Sequence, residues 1–175
     1  MPIALFPALN EKHFGGSPET LGLFLSAIAA GGITATLMSG LGTRASRLGT
    51  IQLAAAATWG LALAVTGLAW SGWLALLCLV VAGAADTISV MARGAIVQLS
   101  STPELRGRIM AAEQIVGVAA PQAGNFRAGS MAMFMPPGAA VACGGIMCAI
   151  AVAGIAWTHP GLAGFRAGKT PRRRG

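Results

Sequence analysis

Charge is what this sequence has least of. Asp, Glu, Lys and Arg make up only 10% of its 175 residues, against roughly 25% in an ordinary soluble domain. A charged, water-facing shell around one core is therefore not available to it. Period-two alternation of apolar and polar residues is missing too, which excludes a membrane β-barrel. The three cysteines, Cys78, Cys143 and Cys148, lie inside apolar runs with no CxxC spacing and no histidine nearby. They read as packing residues, and no metal site is expected. His13 and His159 fall at opposite ends of the chain. No nucleophile–base set, phosphate-cradling loop or ligand cluster occurs, so an enzyme is disfavoured and no cofactor is expected. The first residues, 1–9, lack the basic start and the proline-free apolar stretch of a signal peptide.

What the chain does have is hydrophobicity: 55% of it is apolar, and the mean hydropathy is +0.70. Apolar runs recur at 20–41, 49–70, 73–98, 109–128 and 136–157, each at least 20 residues long. That length crosses a hydrocarbon layer of about 30 Å. Backbone in lipid must satisfy its hydrogen bonds internally, so the expectation is an all-α membrane protein, a bundle of about five transmembrane helices. Residues 1–9 cover only ~13 Å as a helix and read as the end of a truncated span. One transmembrane unit over 1–165 and a basic tail over 166–175 complete the organisation.

Apart from Arg93, the twelve basic residues sit at or beyond span ends. Arg44 and Arg47 fall between the first two full spans, Arg106 and Arg108 between the third and fourth, and Arg166, Lys169, Arg172, Arg173 and Arg174 after the last. This distribution argues against nucleic acid as a partner despite a net charge of +7. The positive-inside rule makes those loops and the C-terminus cytoplasmic, and turns Trp70 and Trp73 towards the outer interface. The expected setting is the cell's inner (plasma) membrane, crossed several times, with the lipid bilayer as a partner. Ala27 with Gly31, Gly32 with Thr36, and Ala140 with Gly144 are small pairs at helical spacing, which let helix backbones approach.

A few polar residues interrupt the spans. Asp86 lies ~20 Å of helix rise from Trp73, near the middle of the third span, and Arg93 follows seven residues later on the same face. A central Asp or Arg costs roughly 2.5–3.5 kcal/mol on insertion scales, so both should turn towards the bundle interior, a partner or water. Asp86 and Arg93 fit either a translocation or proton pathway or a packing role. In the fourth span Gln114, Gln122 and Asn125 share one stripe, with Pro121 on it and Gly117 and Gly124 beside it. That predicts a kinked helix with one wet face, or one hydrogen-bonded to its neighbours. Glu113, at its cytoplasmic end, should stay hydrated or pair with Arg106 or Arg108.

Taken together, Asp86-Thr87-Ile88-Ser89-Val90, Arg93, Gln98 and Thr102-Pro103-Glu104-Leu105-Arg106-Gly107-Arg108 resemble the tenth span and following loop of the enterobactin-exporter-like branch of the major facilitator superfamily. Pro121-Gln122-Ala123-Gly124-Asn125-Phe126-Arg127-Ala128-Gly129 resembles that branch's eleventh span, with Ala123 where Leu is usual, and Gly144-Gly145 with Trp157 and Pro160 its twelfth. The run from Gly40 to Gly49 resembles a decayed form of the superfamily's cytoplasmic loop signature, without its Asp. The resemblance implies the C-terminal half of a major facilitator fold, its five spans being the eighth to twelfth of twelve. It further implies an exporter of a small organic solute such as a siderophore or drug, with protons as a possible coupling ion and an N-terminal half as the missing partner. Asp86, Arg93, Gln114, Gln122 and Asn125 would line the transport pathway; Arg44, Arg47, Arg106 and Arg108 would act in gating or only in topology. The competing expectation is a small non-transporting membrane protein, an interaction or assembly subunit.

Overall fold

The computed structural model describes residues 3–42, 47–159 and 161. Among them there is no strand. After a 3-10 turn at Ile3–Leu5 come α1 (Phe6–Phe14), α2 (Pro18–Gly42), α3 (Leu48–Leu68), α4 (Gly72–Ser100), α5 (Pro103–Ala132) and α6 (Pro137–Thr158). Prolines open α2, α5 and α6, where the missing N–H has no intrahelical partner to lose. Four of the helices are long and apolar enough to cross a membrane: Pro18–Ser39 of α2, then α3, α4 and α6. The run expected as the fourth span is helical, α5, over 30 residues, but it does not belong to that apolar group, its central stretch being diluted by Glu113, Gln114, Pro121, Gln122 and Asn125.

Helices α2, α4, α3 and α6 pack side by side in that order, and α5 rests more lightly against α6, α4 and the opening 3-10 turn. The buried side chains along the row are mostly alanines, such as Ala75, Ala82, Ala85 and Ala140, while Ile33, Leu37, Leu61, Leu77, Ile150 and many other large apolar residues face outwards. In water that distribution would forfeit most of the hydrophobic drive. Beside lipid it is favourable, because close backbone approach replaces burial as the source of attraction. Trp70 and Trp73 are exposed at one end of the row and Trp157 at the other, as amphipathic rings at two interfaces would be.

The close approaches are made by glycine. A Cβ on Gly31 or Gly83 would collide with the backbone of Val80 or Ile28, which locks α2 onto α4. Between α3 and α6, Gly60 faces Gly145 and Gly67 faces Gly138. Both pairs are seven residues apart in their helices, about two turns, so the antiparallel helices meet along a shallow crossing. Of the small residues singled out by spacing, Gly31 serves these contacts; Gly144 instead makes room for Arg127, with the buried Ala140 beside it.

The described part of the opening segment is helical: the 3-10 turn at Ile3–Leu5 leads into α1, which continues to Phe14 and ends on Gly15 at φ 73°, the left-handed cap glycine favours. Asn10 fixes its angle to α2. It is buried, its Nδ2 donates to the Ser17 carbonyl (2.8 Å), and its Oδ1 accepts from the Thr20 hydroxyl (2.7 Å). Phe6 and Phe14 pack on Phe24 of α2, with ring centroids 5.8 and 6.0 Å apart.

Candidate functional site

The charged and amide side chains within the long helices lie mostly on α4 and α5, with Gln52 on α3. On α4, Ser89 Oγ donates to Gln52 Oε1 of α3 at 3.2 Å. One turn further, Arg93 reaches α5, where its Nε donates to Glu113 Oε1 at 3.0 Å. This corrects the expected partner of Glu113. Arg108 is five residues back on α5, about 140° around the helix, and Arg106 is ~10 Å away along it. Arg93, by contrast, projects across the gap beside Gly117, where even a Cβ would make only ordinary contact with its Nη2, at 3.8 Å.

Of the settings expected for Asp86, the bundle interior, a partner or water, the first is not the one found. It does not turn into the bundle of this chain: it is exposed and makes no hydrogen bond or ion pair among the described residues. Arg93 is engaged with Glu113 instead, so Asp86 and Arg93 share a helix face without sharing a partner.

The stripe on α5 stays on the outside. Gln114 and Gln122 are exposed and Asn125 is half-buried, with Asn125 Nδ2 donating to Gln122 Oε1 at 3.4 Å. Asn125 Oδ1 is buried without a partner. α5 runs without interruption through Pro121. Proline removes the hydrogen bond to the carbonyl four residues back; that residue is Gly117, which brings no side chain of its own to the crowded turn. Arg106 and Arg108 are exposed in the first turns of α5, and Arg47 is exposed just before α3. Arg44 and the tail 166–175 lie outside the described residues.

Three participants carried no sequence signal that separated them from packing: Gln52, Trp59 and Arg127. Gln52 and Trp59 sit in α3, whose apolar run hides them. Arg127 belongs to the outer loop by charge alone, yet its guanidinium lies among helices. Its Nη1 is 3.3 Å from the Met147 sulfur and 3.8 Å from that of Met131, and a side chain on Gly144 would stand 2.5 Å from its Nη2. Among the described residues no group of three or more His, Cys, Asp or Glu is arranged to hold a metal ion. The arrangement offers fixed dipoles and one interhelical ion pair, suited to contacting a polar solute.

No protein-family model matches this chain, and no curated protein or solved structure matches it.

Proposed function

We propose that this chain is one half of a secondary exporter of the major facilitator type, moving a small organic solute of the siderophore or drug class outward across the inner membrane in exchange for protons. The observation that carries this is Asp86, mid-way along an apolar helix of 29 residues, exposed and unpaired. An ionised carboxylate at that depth is not tolerated by hydrocarbon and must meet water or a second protein surface. A transporter divided into two halves with its solute site between them near the midplane supplies both. The uncovered Gln114 and Gln122 on α5 support the same arrangement, with α5 as a fifth span whose polar side faces the pathway. Arg47, Arg106 and Arg108 at one end and Trp70 and Trp73 at the other fit a cytoplasmic and an outer face.

The test is water access at position 86. In membranes, Asp86→Cys, with Cys78, Cys143 and Cys148 replaced by Ala, should react with a water-soluble maleimide, and a transported solute should slow the reaction. A thiol at this position that reacts only with a lipid-soluble reagent would point to hydrocarbon and defeat the proposal. One that is wholly shielded would favour the assembly-subunit reading.

A further inference from the structure

A small cavity of about 60 Å³ lies between α3, α5 and α6, lined among others by Trp59, Gly124, Arg127, Val141 and Gly144. Its polar inventory is one-sided. Arg127 brings a guanidinium with five N–H donors and no acceptor, and Trp59 brings an indole that can only donate. The indole Nε1 is buried with no partner. The guanidinium has only the thioether sulfurs of Met131 and Met147, which are weak acceptors. No carboxylate lines the cavity. Gly144 keeps the space beside Nη2 clear, since a Cβ there would stand 2.5 Å from it. A buried donor left unpaired costs free energy that an acceptor would recover, and a guanidinium pairs best with the paired oxygens of a carboxylate or phosphate.

We propose that this cavity is a binding site for an oxyanion, a carboxylate or phosphate group whose oxygens accept from Arg127 and from the Trp59 indole. Its volume is roughly that of two waters, enough for the charged head of a ligand and not for its body. The remainder of the ligand lies outside the cavity. Asp86 and Gln114 do not line it, so the site stands independently of the export reading.

The Trp59 indole N–H is the reporter. The full chain, labelled with nitrogen-15 on its four tryptophans, is held in phosphate-free maltoside micelles, with Trp59→Phe assigning the resonance. Acetate is titrated in one arm and dioleoyl-phosphatidylglycerol in the other. A saturable downfield shift confined to Trp59 is expected in at least one arm. Acetate acting alone marks a free carboxylate ligand, and the lipid acting alone a headgroup phosphate. Arg127→Gln should weaken the response roughly 10- to 100-fold, the loss of charge-assisted hydrogen bonds. A wild-type resonance that ignores both probes overturns the proposal, as does one that answers only to Asn125→Ala, which would give the indole to the unpaired Asn125 Oδ1. The wild-type titration alone decides, even if Arg127→Gln does not fold.

Discussion

Replacing Gly145 by alanine adds a single methyl group where α3 and α6 touch. The new Cβ would stand 2.9 Å from the Ala64 Cα, and nearer still to Gly60 O and Ala64 N, whereas ordinary contact begins at 3.4 Å. All three atoms are backbone, so no side-chain rotation relieves the clash. The helices must separate by at least about 0.5 Å over two turns, which loosens the facing Gly67–Gly138 contact as well. Overpacking of this kind costs roughly 1–3 kcal/mol, about a 5- to 150-fold fall in the folding equilibrium constant. Gly154→Ala, on the same helix with open space around it, is the control. There alanine should be neutral or gain up to about 1 kcal/mol from helix propensity. Dodecyl sulfate titration in mixed micelles, followed by helical circular dichroism and tryptophan fluorescence, compares the two. Coincident midpoints would refute the close-packed glycine contact as a source of stability.

Asn10→Ala removes two hydrogen bonds but leaves the Thr20 hydroxyl donating to the Ser17 carbonyl, which also accepts from the Leu21 N–H; it should cost about 0.5–1.5 kcal/mol per bond lost, read as faster hydrogen exchange confined to α1 and the start of α2. A double-mutant cycle of Arg93→Gln with Glu113→Gln should give a coupling below about 1 kcal/mol, because the two side chains are 43% and 22% exposed and water screens such pairs; a coupling of several kcal/mol would mean that the pair is dry. Asp86→Asn should leave stability unchanged, since the carboxylate has no partner to lose, yet abolish efflux once the chain is joined to a six-helix N-terminal portion. Efflux that survives the substitution removes Asp86 from the transport pathway.

The apolar helices were legible because lipid writes them in one dimension: α2, α3, α4 and α6 begin and end within a few residues of the expected runs. α5 was legible as a helix and its Gln114–Gln122–Asn125 stripe as one face, since 100° per residue fixes both. What escaped was everything that depends on which helices become neighbours. Gly60 and Gly145 lie 85 positions apart, and nothing local marks them as opposites. Glu113 looked along its own helix for an arginine, but its partner sits on the preceding one. For Asp86 the energetic rule says only that it avoids hydrocarbon; whether the shelter comes from this chain is a matter of assembly. Asn10 gave no warning, because an isolated asparagine beside a glycine turn looks like any loop residue.

The uneven grip of the helices on one another has a mechanical corollary. The row from α2 to α6 is fastened by backbone against backbone, so it can tilt only as a block. α5 is held by a half-exposed ion pair near one end and by Ala128, Met131 and Ala132 near the other, with little in between. Its detachment breaks the fewest bonds of any long helix in the molecule. Whatever flexing the fold undergoes will be concentrated along that seam, and a thioether-to-sulfoxide oxidation at Met131 would be felt there first.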